Sequence, residues 1–160
     1  SGVTLTAGTA RIDNYGSIGD SLVHYVDFRI KLLCSTAGGA TCRLLFFVDE
    51  QYDGTGVVIA DILNSPTDSV SPYLDDKCLS IKEARHKNRK FDARVVVYDD
   101  RTISLNNGEP KFFKVRMKLN GRRFREKDGT VLPRLGVMAL ADESNCTYSL
   151  SYDRYYTTDT

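Results

Sequence analysis

The sequence predicts an all-β protein, built as a sandwich or a barrel of about eight strands. Apolar segments recur along the chain, each short enough for one strand, and turn signals separate them. Only residues 56–64 have a helical pattern, and Pro66 ends it. Strands bounded by turns at this spacing favour a sandwich or a barrel over a parallel α/β sheet.

The chain length and composition are those of one globular domain, residues 1–160. A chain of this size buries roughly 70% of the surface that it exposes when unfolded. No apolar run approaches the ~20 residues of a membrane helix, so no membrane partner is expected.

The first half of the chain contains the clearest hairpin. Residues 3–12 carry β-branched residues interrupted by Gly8, which suits an edge strand or a bulge. Residues 22–33 alternate, and residues 42–50, CRLLFFVDE, are an apolar run short enough for a buried strand, so the two segments are expected to pair. The alternation predicts one face with Leu22, His24, Val26, Phe28, Ile30 and Leu32, and another with Tyr25, Asp27, Arg29 and Lys31. His24 is therefore expected to be a core histidine.

The second half continues the strand pattern. Its predicted segments are a strand with a basic turn at 77–90, then strands at 91–105, 111–119, 131–142 and 145–156. Strong turn signals, Asn106-Asn107-Gly108 and Asp128-Gly129, separate three of these strands.

The chain shows little catalytic chemistry. Its two histidines, His24 and His86, belong to no nucleophile elbow, and no phosphate-binding or dinucleotide-binding glycine loop is present. Acids near residues 49–54 and 73–77 lack the ligand spacing of a known calcium loop. We therefore expect no enzyme activity, no cofactor and no metal site.

The four cysteines have spacings that match neither a zinc site nor a redox pair nor a disulfide scaffold. They are Cys34, Cys42, Cys78 and Cys146. Free, mostly buried thiols are the expected state.

Charge is segregated although the formal net charge is only +1. Residues 49–76 contain seven acids and no Lys or Arg, whereas residues 77–127 contain sixteen basic residues and six acids. This asymmetry predicts a positive face and a negative face. A polyanion is the expected partner of the first, and contacts between copies are one reason for the second.

The densest basic segment, residues 111–127, holds eight Lys and Arg and one acid. Its apolar residues alternate with Lys114, Arg116 and Lys118, as in a strand with one face in a core. The cations form either a solvated outer face or contacts to nucleic acid phosphates. Aromatic residues nearby and at the C-terminal end are candidates for stacking on unpaired bases: Phe112, Phe113, Phe124, Tyr148, Tyr152, Tyr155 and Tyr156. Nothing resembles a recognition helix, a zinc finger or an RNP motif.

The order of segments adds a resemblance. It runs SLVHYVDFRIKLL, CRLLFFVDEQYDGTG, VVIADILNSPTDSVSPYL, HKNRKFDARVVVYDD, EPKFFKVRMKLN, PRLGVMALAD and YSLSYDRYY. Over residues 3–156 this pattern resembles the single jelly-roll capsid proteins of the smallest icosahedral viruses. Satellite tobacco necrosis virus and circular single-stranded DNA viruses related to geminiviruses and circoviruses share it.

The resemblance implies an eight-stranded antiparallel jelly-roll sandwich with one short helix in a loop. It implies that copies assemble into a small T=1 shell around a single-stranded genome, with DNA favoured over RNA. The implied locations are the virion and, for a DNA genome, the host nucleus; a host receptor is a further implied partner. The implied genome contacts are Arg11, Arg29, Lys31, Arg43, Lys114, Arg116, Lys118, Arg122 and Arg123.

One feature departs from the family. Such proteins usually begin with an Arg-rich arm, but only Arg11 is basic among the first twenty residues here. The alternative from another class is a jelly-roll carbohydrate-binding module, in which the Tyr-rich end and the acidic loops hold a sugar.

Overall fold

The structure is a computed structural model that describes residues 2–6, 10–15, 19–50, 55–63, 94–127 and 130–158. Nine strands and one helical turn lie within these ranges. They are β1 (Val3–Leu5), β2 (Arg11–Tyr15), β3 (Ser21–Cys34), β4 (Ala40–Asp49), α1 (Ile59–Ile62), β5 (Val95–Leu105), β6 (Lys111–Lys127), β7 (Thr130–Leu132), β8 (Arg134–Ala141) and β9 (Cys146–Thr158).

The strands form two antiparallel sheets, with the orders β1-β9-β3-β6-β7 and β2-β8-β4-β5. The chain crosses repeatedly from one sheet to the other, and apart from β7 each sheet has the strand order of a jelly roll. The predicted all-β jelly-roll sandwich is confirmed. The three-residue β7 is an addition to the expected eight strands, and among the described strands it pairs with the end of β6 alone. The predicted strand at residues 3–12 is instead two strands, β1 and β2, each at the edge of a different sheet.

The core lies between the inner faces of the sheets. Phe28 of β3 and Phe46 of β4 meet there, with ring centroids 5.1 Å apart. Cys34, Cys42 and Cys146 are buried as free thiols, as predicted, and burial raises the pKa of Cys42 to about 11. The three buried thiols therefore pack as small residues of the core.

A second apolar cluster covers the outer face of the four-stranded sheet. Leu45 and Phe47 of β4 pack there against Ile62 and Leu63, at the end of α1. Gly136 of β8 lies opposite Phe47, and a Cβ atom at that position would overlap the Phe47 ring. Strand β4 is therefore buried on both faces, which explains its continuous apolar run.

The long pair β3–β6 contains an irregularity that changes which side chains face the core. Its register passes from Val23–Arg122 to Tyr25–Lys118, and Asn120 and Gly121 have φ angles of 54° and 77°. Three residues of β6 thus stand opposite a single residue of β3. Beyond this bulge the alternation of both strands is reversed.

The bulge makes the predicted core face of β3 wrong at two residues, Leu22 and His24, and Leu22 lies on the outer face opposite Arg123. Val23 enters the core, whereas His24 is exposed and its Nε2 lies 2.7 Å from the Thr157 hydroxyl oxygen. His24 is therefore not a core histidine.

Several predictions fall outside the described residues. These are the strand and basic turn at 77–90, His86, Cys78, and the acids between residues 64 and 76. No helix of the described ranges is long and apolar enough to cross a membrane.

Candidate nucleic-acid interface

The outer face of the five-stranded sheet carries most of the predicted cations. Residues directly opposite in neighbouring strands point to the same side of a sheet, so the strand register defines this face. Its rows across β6, β3 and β9 are Lys118–Tyr25–Tyr155, Arg116–Asp27–Asp153, Lys114–Arg29–Ser151 and Phe112–Lys31–Ser149. Arg123, opposite Leu22, extends it beyond the bulge. We call this surface the cation face; the predicted contacts on it are Arg29, Lys31, Lys114, Arg116, Lys118 and Arg123.

Three predicted contacts lie elsewhere. The bulge turns Arg122 inward, where its guanidinium pairs with Glu50. Arg43 is buried on the outer side of the four-stranded sheet, where Nε and Nη2 donate to Asp100 at 2.9 and 2.7 Å. Arg11 lies on edge strand β2, with Nε 3.2 Å from the Asp13 carboxylate. Of the nine predicted genome contacts, these three therefore lie off the outer face of the five-stranded sheet.

A buried carboxylate organises the centre of the cation face. Asp27 is 1% exposed and accepts hydrogen bonds from Arg116 Nε at 2.8 Å and Nη2 at 3.0 Å. Lys114 Nζ lies 3.3 Å from the same group. The hydrogen bonds from Arg116, and then that from Lys114, lower the pKa of Asp27 against the opposing effect of burial. Two of the cations are thus partly neutralised within the fold.

Arg116 is held by an aromatic stack as well. Its guanidinium lies 4.1 Å from the ring centroid of Tyr25, which stacks on Tyr155 with centroids 4.3 Å apart. A planar guanidinium held by both a carboxylate and a ring has little freedom to follow a mobile ligand. The role of Arg116 is therefore largely structural.

The remaining cations differ in how they are paired. Arg29 forms an exposed ion pair with Asp153. Lys31 and Lys118 contact no carboxylate of the described ranges, and Lys31 Nζ lies 5.6 Å from the Phe112 ring centroid. Exposed ammonium groups on flexible stems suit contacts to phosphates whose positions vary. Lys31 and Lys118 are thus the cations of this face best placed to bind an external anion.

The predicted negative face is not formed by the acids that the structure describes. Asp49 is fully buried and accepts bidentate hydrogen bonds from Arg94, and Glu50 pairs with Arg122. These carboxylates neutralise arginines inside the fold. One feature of the sequence indicated that these carboxylates are buried: Asp49 and Glu50 stand at the end of an apolar strand that is buried on both faces.

The aromatic candidates separate clearly by burial. Phe124 and Tyr148 are buried, and Phe113 and Tyr152 pack against the core. Phe112 is the most exposed large hydrophobic residue described, with 71% of its surface accessible, and it lies on the cation face. Tyr155 and Tyr156 are about two-fifths exposed.

Comparison with known proteins identifies no family. No family model matches the chain, and no curated protein sequence shows significant similarity to it. Within the described ranges, no group of three or more His, Cys, Asp or Glu side chains is placed to hold a metal ion.

Proposed function

We propose that this chain is a viral capsid protein that assembles into a small icosahedral shell and packages a single-stranded genome against the cation face. The observation that carries the proposal is that face: six of the nine predicted cations, with two carboxylates, lie on one sheet face of a jelly roll. The protein would then be located in the virion and, for a DNA genome, in the host nucleus.

The electrostatics of the face suit a polyanion. A nucleic acid backbone that meets lysines releases its condensed counterions, which favours binding and makes it salt-dependent. Lys118 and Lys31 lie in the first and last of the four rows, so the two ammonium groups are spread along the sheet. No recognition element is needed for such binding, which agrees with the absence of one from the sequence.

The jelly-roll fold supports the same proposal through its edges. β1 and β7 end one sheet, and β2 and β5 end the other, as far as the described residues extend. A sandwich with several short or charged edges can place copies side by side without exposing a long flat strand. The carbohydrate-binding alternative has less support, because Tyr148 and Tyr152 face inward and the first acids of the acidic segment are buried.

The first test is the light-scattering mass of the purified chain across salt concentrations, with absorbance at 260 and 280 nm. We expect a large particle that carries nucleic acid. A 17.9 kDa monomer that retains no nucleic acid at low salt would contradict the proposal.

A pair of matched variants tests the cation face itself. Lys31→Gln with Lys118→Gln removes two exposed charges from the face, and Arg11→Gln with Arg101→Gln removes two exposed charges from the other sheet. We expect only the first pair to weaken nucleic acid retention and to reduce the salt slope for single strands by about 1.4. Equal losses in both pairs would show that net charge, not this face, binds the genome. Reversal of Arg116 is unsuitable here, because it would leave Asp27 buried without its main partner.

A further inference from the structure

Phe112 has no role in the sandwich core. Its neighbour Phe113 packs inward, whereas Phe112 projects from the outer face of β6 with 71% of its surface exposed. Cations surround this ring: Lys31 is directly opposite, and Lys114 is two residues further along the same strand. An apolar ring framed by ammonium groups is poorly suited to an apolar protein partner, because the cations would have to be desolvated with it.

The surface beside Phe112 is concave. A groove of about 550 Å³ runs over β6, β3 and β9, and Arg29, Lys31, Phe112, Lys114, Ser149 and Ser151 are among its lining residues. On the β9 side the groove is lined by two serines, whose side chains are small and whose hydroxyl groups can donate or accept hydrogen bonds. The groove thus combines one exposed aromatic ring, three cations and two serine hydroxyl groups with the apolar residues Ile30, Phe113 and Leu150.

From this combination we propose that the groove binds one unpaired nucleotide, with its base stacked on Phe112 and its phosphate at Lys31 and Lys114. The inference rests on the proposed packaging function and refines it, since it names single-stranded nucleic acid as the ligand of this part of the cation face. Stacking on a ring needs an accessible base face, and a duplex interior offers none. Phosphate contacts alone would not distinguish single strands from duplexes.

The positions of the charges support this placement. Lys31 Nζ lies 5.6 Å from the Phe112 centroid, so a base on the ring has an ammonium group within reach of its own phosphate. Lys114 lies in the next row, two residues along β6 from Phe112, which corresponds to about 7 Å at the rise of a strand. Arg29 in that row is paired with Asp153, and Lys114 lies 3.3 Å from Asp27. Lys31, which contacts no carboxylate of the described ranges, is therefore the main phosphate ligand, and Lys114 is the second. Lys31 loses only a weak exposed contact with the ring if a base displaces it.

The test compares a short fluorescent oligothymidylate with a duplex of the same length, bound to the full chain and followed by fluorescence anisotropy. For Phe112→Ala we expect about tenfold weaker binding of the single strand, with duplex affinity changed less than about twofold. Phe112→Tyr keeps a ring and should retain single-strand affinity. Lys31→Gln should weaken both ligands, because it removes a phosphate contact.

Two outcomes would overturn the inference. One is a Phe112→Ala variant that binds both ligands as the parent does, or that loses affinity for both equally. The other is a variant whose particle mass falls while oligonucleotide binding is unchanged, which would place Phe112 in a contact between copies. Neither outcome bears on the parent particle and its nucleic acid content, so failure of this site is distinguishable from failure of the packaging function.

Discussion

The outer faces of the two sheets differ in what covers them and in whether their arginines are exposed. On the four-stranded sheet, Leu45 and Phe47 are covered by the segment around α1, and Arg43 is buried with its guanidinium on Asp100. On the five-stranded sheet, the cations are open to solvent in the structure as described, and Asp27 is the buried charge beneath them. A cation at an outward-facing strand position is therefore a candidate for binding nucleic acid phosphates only where no other segment packs over that face of the sheet.

The comparison also separates cations by their carboxylate partners. Arg43 and Arg116 are each held by a bidentate carboxylate, although one is buried and the other nearly half exposed. Lys118 shares a face with Arg116 but contacts no carboxylate within the described ranges. The two arginines are expected to affect mainly stability, and Lys118 mainly binding.

The largest expected effect is that of Arg43→Ala. The change leaves the Asp100 carboxylate without a bidentate partner and opens a gap beside the second apolar cluster. We expect the free energy of unfolding to fall by about 2–4 kcal/mol, with oligonucleotide affinity unchanged. Urea unfolding and anisotropy measure the two quantities.

Arg101→Ala is the matched control for that change, because Arg101 lies on β5, pairs with Asp99 in an exposed position and has its guanidinium 6.0 Å from the Phe113 ring centroid. Its expected cost is below about 1 kcal/mol. If Arg43→Ala weakened oligonucleotide binding without loss of stability, the assignment of Arg43 to the covered face would be wrong.

Where strand alternation is unbroken, the sequence correctly predicted which side chains face the core and which face outward. From residue 113 to residue 119 every second residue of β6 faces the core or its rim, as the pattern predicts. The pattern failed at the bulge, because one insertion reverses all later positions. The Asn120-Gly121 pair, which favours positive φ angles, was the available signal in β6, and with it Arg122 could have been placed correctly. The placement of His24 depends on the register between β3 and β6.

The partners of the cations were harder to predict. Alternation placed Asp27 on the same face as Arg29 and Lys31, but it could not show that Arg116 and Lys114 lie over it. That contact depends on the register between β3 and β6, which are far apart in sequence. For Arg43, the continuous apolar run of β4 already indicated a strand buried on both faces.

A smaller effect is expected for Asp27→Asn, and it depends on pH. The pKa of Asp27 is lowered in the folded protein, so the folded state binds fewer protons than the unfolded state in the acid range. The stabilisation from the ionised Asp27 carboxylate is fully present above the unfolded pKa of about 4, and it is lost as the pH falls through the pKa of the folded state. At neutral pH we expect the variant to be less stable by about 1.5–3 kcal/mol, because charge-assisted hydrogen bonds are lost.

The measurement for Asp27→Asn is urea unfolding of parent and variant between neutral pH and the lowest pH at which both fold. The gap between them should narrow in acid, since the parent loses what the variant already lacks. Other carboxylates titrate in both proteins and cancel in the difference. A gap that stays constant across pH would show that Asp27 is not stabilised by its ion pairs.

The smallest expected change in stability is that of Lys118→Ala. Lys118 lies one row from Arg116 on the same strand and the same face, but its ammonium group is solvated rather than paired with Asp27. Truncation should therefore shift the free energy of unfolding by less than about 0.5 kcal/mol while weakening oligonucleotide binding. Arg116→Ala is the comparison that gives this result its meaning, since it removes a side chain from the same strand face but strips Asp27 of two hydrogen bonds. If the two truncations cost equal stability, carboxylate pairing does not separate structural cations from binding cations on this face.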